Sequence, residues 1–364
     1  MFKNQQGFAP IQIILSILAG TLVLASILGG VLYFAKPEVK KLDNQLQVQQ
    51  PATSGQPQAQ PPTQKQGSCG DEICGPVEQA HPDACPQDCT VQTGDNTSKN
   101  PTSIQDLKYS SVDSDAVKLD LYFPNKTCQN KLPLVVMIHG GGFKGGDKRP
   151  VRTSFLTDDC YAVASINYRL SDEALFPAGN QDVKTAVRWL RANAAKYNLD
   201  PDHFGAMGGS AGGYFSSFLG ITGDVKDFDV GDNLEYSSAV QAVVDEYGLV
   251  NVSSLAQDRI DAGQISRDVE SVYMGCDISS ASCTNATKAS PSNYITKGDA
   301  PFFILHGGKD TQIPIKQSQD FYAKLLSTGV VASLATLPNA DHGGPGFDTY
   351  EPQILEFFNK YLKK

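Results

Sequence analysis

The chain has 364 residues, enough for one large domain with appendages or for two average ones. With 40% hydrophobic and 19% charged residues, it excludes wholesale disorder and a multi-span membrane protein. Thirty Lys and Arg against 39 Asp and Glu leave a formal charge of −9. That argues against nucleic acid as the main partner, because a phosphate backbone needs a basic surface.

Residues Ile11 to Phe34 carry no charge and are mostly Ile, Leu, Val, Ala and Gly. As a helix they would span about 36 Å, enough for a ~30 Å hydrocarbon core. The run is longer than a secretory h-region and no A-x-A cleavage site follows, so residues 1–36 are expected to form an uncleaved transmembrane signal anchor. Lys3 to Phe8 also resembles a type IV prepilin leader cut between Gly7 and Phe8, but Gln12 stands where the glutamate of such a leader belongs. Charge counting pits Lys3 against Lys36, Lys40 and Lys41 and would keep the rest of the chain in the cytoplasm. The cysteines argue for the opposite orientation and are given more weight.

Residues 37–68 are rich in Gln and Pro and nearly devoid of large apolar side chains, which predicts a disordered linker. Cys69, Cys74, Cys85 and Cys89 then fall within residues 69–89. Neither pair has the C-x2-C spacing of a zinc site, so a disulfide-stapled module in an oxidising compartment is expected. It resembles the short CGDGxC…CPxDC modules of exported microbial proteins. Its acids Asp71, Glu72, Asp83 and Asp88 read as a solvated face rather than a calcium site. Residues 90–103 form a second linker, and a globular domain occupies residues 104–364.

Eight apolar runs in that domain read as strands: Leu107–Ser110, Val117–Phe123, Leu134–Ile138, Ala162–Asn167, Phe204–Met207, Val240–Asp245, Phe302–Leu305 and Ala332–Leu337. The later runs lack polar alternation, as expected of parallel strands buried on both faces. Helical patterns lie between them. In Asp182–Tyr197 the residues Val183, Ala186, Val187, Leu190 and Ala194 form one apolar stripe. Ser318–Ser327 and Gln353–Leu362 read similarly. This alternation predicts a mostly parallel α/β sheet whose ligands bind beyond the C-terminal strand ends.

Three groups of residues converge on that rim. Gly208-Gly209-Ser210-Ala211-Gly212 matches G-x-S-x-G between a strand and the probable helix Gly213–Leu219, the setting of a nucleophile elbow. His139-Gly140-Gly141-Gly142 follows strand Leu134–Ile138, where consecutive glycines let backbone N–H groups approach a substrate oxygen. Asp310 and His342 follow the last two strands, in the chain order Ser…Asp…His of α/β hydrolases. Of the five His, His81 lies in the Cys-rich module and His203 at the far end of its strand, while His139 and His306 belong to loop motifs. His342 is left as the general base. Asp341 and Asp348 are rival acids. Asp341 adjoins His342, which makes good Nδ1 geometry hard, so Asp310 ranks first.

The stretches HGGGFKGGDK (139–148), NYRLSDEALFPAGNQDVKTAVRWLRANAAKYNLDP (167–201), GGSAGG (208–213), APFFILHGGKDTQIP (300–314) and ADHGG (340–344) resemble the α/β-hydrolase fold. They are most similar to carboxylesterases of the hormone-sensitive-lipase-like and bacterial feruloyl- and acetyl-xylan-esterase-like groups. The resemblance implies an eight-stranded sheet flanked by helices, with Ser210 as nucleophile, His342 as base and Asp310 as its orienter. It also implies Gly141, Gly142 and Ala211 as oxyanion donors, and no metal or cofactor. Lys148, Tyr168 and Asp182 match positions with structural roles, Asp182 as a charge in the first turn of its helix. No long cap precedes strand Leu134–Ile138, which points to short acyl groups, with a carbohydrate the expected alcohol.

Cys128 and Cys160 flank the early strands, and Cys276 and Cys283 close a short loop, so disulfides are expected there as well. Residues 221–236 and 251–293 read as insertions around the pocket; Tyr236 and Tyr273 within them, and Tyr294 directly after the second, could contact a substrate ring. The expected protein is a membrane-anchored serine esterase with its catalytic domain outside the cytoplasm. A prolyl-oligopeptidase-type peptidase and an idle hydrolase fold used for adhesion are the alternatives. The first usually lacks HGGG and carries a bulkier residue after the nucleophile; the second should have lost a member of the Ser-His-Asp set.

Overall fold

The short apolar runs pair into one eight-stranded sheet, seen in a computed structural model that describes residues 103–265 and 268–363. The expected anchor, the Gln/Pro-rich linker and the Cys-rich module lie outside the described residues, as does the second linker apart from Ser103. Among the described residues no helix is long and apolar enough to cross a membrane.

The strands are β1 (Ser103–Lys108), β2 (Lys118–Tyr122), β3 (Leu132–Ile138), β4 (Ala162–Ile166), β5 (Leu199–Gly209), β6 (Ala242–Glu246), β7 (Phe302–Gly307) and β8 (Ala332–Leu337). Their order across the sheet is β1-β2-β4-β3-β5-β6-β7-β8. β2 is antiparallel to β1 and β4, and every other pairing is parallel. The helices are α1 (Ser154–Thr157), α2 (Ala178–Ala192), α3 (Ala211–Ile221), α4 (Val252–Asp261), α5 (Val269–Met274), α6 (Thr284–Lys288), α7 (Lys316–Thr328) and α8 (Glu351–Leu362). This is the α/β-hydrolase architecture.

Side chains alternate across the sheet, so each central strand feeds two cores. Leu134, Val136 and Ile138 of β3 join the apolar residues of α2, α3 and α7 on one face. Val135 joins Leu156 of α1 and Ile354, Phe358 and Leu362 of α8 on the other. The apolar stripe expected for α2 is buried at Val183, Ala186, Val187 and Leu190. Every residue of α3 is buried. The turn that bears Ser210 therefore rests on the most solvent-excluded helix described.

Several boundaries differ from expectation. β1 starts at Ser103 and ends at Lys108, ahead of the expected Leu107–Ser110. It is a largely exposed edge strand held by its ladder to β2 and by the Asp106 amide donating to Asp120 Oδ1 at 2.8 Å. Burial does not define it, so hydrophobicity did not locate it. β5 begins at Leu199, where Leu199 pairs with Leu132. α2 begins at Ala178, which places Asp182 in its second turn rather than its first. β8 is half-exposed because it is the other sheet edge, not a strand covered on both faces.

Two disulfides staple the described domain. Cys128–Cys160 joins the segments leading into β3 and β4, with Cα atoms 5.9 Å apart, and Cys276–Cys283 closes the loop after α5. A bridge across 32 positions removes loop-closure entropy from the unfolded chain. The double substitution Cys128→Ser, Cys160→Ser should lower unfolding free energy by about 3 kcal/mol in chemical denaturation.

Candidate active site

Ser210 sits where β5 turns into α3, with φ 58° and ψ −120°. That left-handed conformation is strained for a residue with a side chain and costs about 1–3 kcal/mol. Its amide donates to the carbonyl of Glu246 on β6 at 2.9 Å, and the Tyr214 amide donates to its own carbonyl at 3.0 Å. The turn also needs close backbone approach. A Cβ on Gly212 would collide with the Ile138 carbonyl of β3, and one on Gly208 would strike both that carbonyl and Gly212. The small residues around Ser210 are thus required by packing against β3.

His342 lies in the loop after β8, and Asp310 in the loop after β7. His342 Nε2 is 2.8 Å from Ser210 Oγ, and His342 Nδ1 is 2.8 Å from Asp310 Oδ2. Because a carboxylate only accepts, Nδ1 carries the ring proton and Nε2 is left to accept from the Ser210 hydroxyl. The rival acids are committed elsewhere. Asp341 Oδ1 accepts from the amides of Thr311 and His342 and from the Thr311 hydroxyl. Asp348 Oδ1 accepts from the Gly346 amide at 3.2 Å.

Asp310 is only 4% exposed. Burial alone would raise its carboxyl pKa. Hydrogen bonding from His306 and His342, with the charge of His342, outweighs that and holds the carboxyl well below the usual carboxylate range. Its Oδ1 also accepts from the amides of Gln312 and Ile313, each at 2.8 Å. His306 Nε2 is 2.9 Å from the Ile313 carbonyl and 3.3 Å from Asp310 Oδ2. Both partners only accept, so Nε2 is protonated and Nδ1 accepts from the Ser318 hydroxyl at 2.7 Å. Asp310 is therefore oriented by two imidazoles, although the sequence assigned His306 only to a loop motif.

The glycine loop after β3 turns at Gly141 and Gly142, with φ of 115° and 60°. The His139 ring stacks on Tyr168 at 4.5 Å, and the Tyr168 hydroxyl donates to the His139 carbonyl at 3.0 Å. Burial lowers the pKa of the His139 imidazole, whose Nδ1 lies 2.8 Å from the Gly140 carbonyl within its own loop. Ala211 is the first residue of α3, so its amide has no acceptor within the helix. Lys148 is buried in ion pairs with Asp106 and Asp120, at 2.7 and 3.2 Å. Asp182 accepts from the Arg169 guanidinium and amide and so ties β4's exit loop to α2.

Ser210, His342, Gly140, Gly141 and Gly142 line one cavity of about 710 Å³. Its walls add groups that the sequence did not single out: Arg152, Glu246, Tyr247, and the buried Arg259–Glu270 pair, joined by two hydrogen bonds of 2.7 and 3.0 Å. Glu246 and Tyr247 stand at the C-terminal end of β6, a position that the strand-end rule marks. Arg259 and Glu270 come from α4 and α5, and no spacing in the sequence signals their meeting. The three tyrosines of the insertions do not line this cavity. Tyr273 is fully buried, stacked on Phe143 at 4.3 Å and donating to Asn180 Oδ1 at 2.8 Å. The Tyr294 hydroxyl donates to the Lys288 carbonyl, and Tyr236 is partly exposed. Among the described residues no cluster of three or more His, Cys, Asp or Glu is arranged to hold a metal.

Residues 119–325 match the BD-FAE family. The chain belongs to that family. It is 30% identical to the carboxylesterase NlhH of Mycobacterium tuberculosis, over 66% of this chain and 75% of that protein. It is 30% identical to the esterase LipQ of the same organism, over 60% of this chain and 52% of that one. The chain spans about half the length of the first curated relatives it matches. Among solved structures, a truncated carbohydrate esterase from gut microbiota superposes with a TM-score of 0.65 at 29% identity. That match covers 73% of this chain and all of the other.

Behind the BD-FAE elbow, Asp245 on β6 accepts from the Ser217 hydroxyl and the Gly248 amide, each at 2.7 Å. Burial pushes its carboxyl up to about 6. Between the unfolded value near 4 and about 6 the folded state therefore holds more protons, and this group's contribution to stability falls as pH rises. Asp245→Asn removes that dependence. From pH 4 to 7 the difference in unfolding free energy should move in the variant's favour, by on the order of 3 kcal/mol. Denaturation at several pH values reads the trend, and a constant difference would contradict it.

Proposed function

We propose that this protein is a serine carboxylesterase that hydrolyses short-chain acyl esters, with an acylated carbohydrate as substrate. The observation that carries the reading is the unbroken hydrogen-bond chain from Ser210 through His342 to Asp310. Ser210 Oγ attacks the ester carbonyl while His342 Nε2 takes its proton. The imidazolium is stabilised by Asp310, whose depressed pKa keeps it ionised. The oxyanion forms against the amides of Gly141, Gly142 and Ala211, where α3 also directs its positive dipole end. His342 then protonates the leaving alcohol, and the acyl-enzyme is hydrolysed by a water that His342 activates.

The names of the relatives support ester hydrolysis, and the gut carbohydrate esterase supports a sugar as the alcohol. The uncharged N-terminal run and the two disulfides of the domain support a membrane-anchored protein whose catalytic domain faces an oxidising, extracytoplasmic space.

Ser210→Ala should lower kcat on p-nitrophenyl acetate by roughly 10,000-fold or more. Asp310→Asn should lower it by about 1,000- to 10,000-fold, because an amide donor favours the wrong His342 tautomer. Undiminished turnover in Ser210→Ala would end the serine mechanism. An alkaline phosphatase fused after Ser103, active only when exported, should be active, and a silent fusion would put the domain in the cytoplasm.

A further inference from the structure

Glu246 is the last residue of β6 and pairs with Gly209, immediately before Ser210. Alternation along β6 turns Asp245 toward α3, where it meets Ser217, and turns Glu246 to the opposite face, shared with Ala242 and Val244. Its backbone carbonyl holds the Ser210 amide, so the main chain that carries this side chain is fixed beside Ser210. That side chain lines the same cavity as Ser210 and His342 and is only 6% exposed.

Among the described residues, Glu246 Oε1 makes no hydrogen bond. The nearest cation is Arg152, whose Nη2 lies 3.8 Å away, beyond hydrogen-bond distance. Arg152 is committed to Glu351 through Nη1 at 3.0 Å. Burial pushes the Glu246 carboxyl up to about 7 against the pull of the Arg152 guanidinium. A buried acceptor left without a donor is costly, and native structures rarely keep one without a use. This one borders the space that a substrate would fill.

We infer that Glu246 is a substrate-binding residue: its Oε1 accepts a hydrogen bond from a hydroxyl group of the ester substrate and selects hydroxylated esters over alkylated or deoxygenated analogues. The inference rests on the esterase reading and deepens it. The hydroxyl lies either on the sugar that carries the acyl group or on a hydroxyaryl acyl group itself. Both offer the same O–H donor to the same oxygen. A site with an acceptor for a substrate hydroxyl penalises the analogue that lacks it, since the acceptor is then desolvated and left unpaired.

The test compares kcat/KM within two substrate pairs. One is a mono-acetylated methyl xyloside with free hydroxyls against its O-methylated counterpart. The other is a methyl hydroxycinnamate against its methoxy analogue. In the wild-type enzyme, assayed at about pH 8 where the Glu246 carboxyl is ionised, the hydroxylated member of one pair should be preferred by about 10- to 100-fold, the range of one hydrogen bond to a charged acceptor. The pair that shows the preference identifies the source of the hydroxyl. Glu246→Leu should collapse that ratio to near unity. Glu246→Gln keeps an acceptor oxygen of the same size and should retain most of it. Fluorophosphonate labelling of Ser210 in each variant reports an intact pocket.

If the wild type shows no preference within either pair, the inference is overturned whatever the variants do. It is also overturned if a labelled Glu246→Leu keeps the wild-type ratio. A wild type that hydrolyses none of these esters, nor p-nitrophenyl acetate, contradicts the esterase reading itself. The two failures are therefore distinct.

Discussion

Ser210 holds a backbone conformation that its residue type disfavours, and the surrounding architecture is what keeps it there. The strain of about 1–3 kcal/mol is opposed by a chain of constraints. β5 lies between β3 and β6, so the turn is fixed on one side by the Ile138 carbonyl packed against Gly208 and Gly212. On the other side, the Glu246 carbonyl accepts the Ser210 amide. The fully buried α3 prevents the turn from relaxing outward. The parallel register of three strands thereby becomes a precise position for one hydroxyl.

The electrostatics follow from where each carboxyl is buried and what donates to it. Asp310 accepts from two imidazoles and two amides, and its pKa falls despite burial. Asp245 and Glu246 are buried with fewer donors, and theirs rise. Three acids on neighbouring strand ends thus reach neutral pH with different characters. Asp310 is a fixed anion that sets a tautomer. Asp245 braces the helix behind Ser210 through Ser217. Glu246 faces the cavity with an unpaired oxygen. One functional group, the carboxyl, occupies three different environments.

Much of this was legible in the sequence because it is written in local patterns. Seven of the eight strands correspond to apolar runs, and the G-x-S-x-G turn has its strand and helix on either side. Asp310 and His342 could be singled out because each follows a strand at the rim where such sheets work. The second support of Asp310 was not legible. His306 is a strand residue whose ring meets the carboxylate only once the loop folds back. The Arg259–Glu270 wall joins two helices of an insertion with no repeating spacing. Tyr273 misled in the other direction. An aromatic in an insertion resembles a platform for a ligand, but ring stacking on Phe143 draws it into the core. The start of β1 was missed because an edge strand is specified by its ladder rather than by apolar residues.

The insertion that walls the cavity is stitched directly to the loop that carries the acid. Gln264 donates to the Asp310 carbonyl at 2.6 Å, and Arg259 donates to the Gln312 carbonyl at 2.9 Å. The wall and the Asp310 loop therefore do not vary as separate modules. Swapping residues 251–293 for the equivalent region of another protein of this fold would withdraw two clamps from the backbone around Asp310. A graft that reshapes the cavity without loosening Asp310 would have to carry residues 308–315 along with it. In this fold the range of cavity shapes open to evolution is coupled, through two main-chain carbonyls, to the rigidity of the Ser210–His342–Asp310 chain.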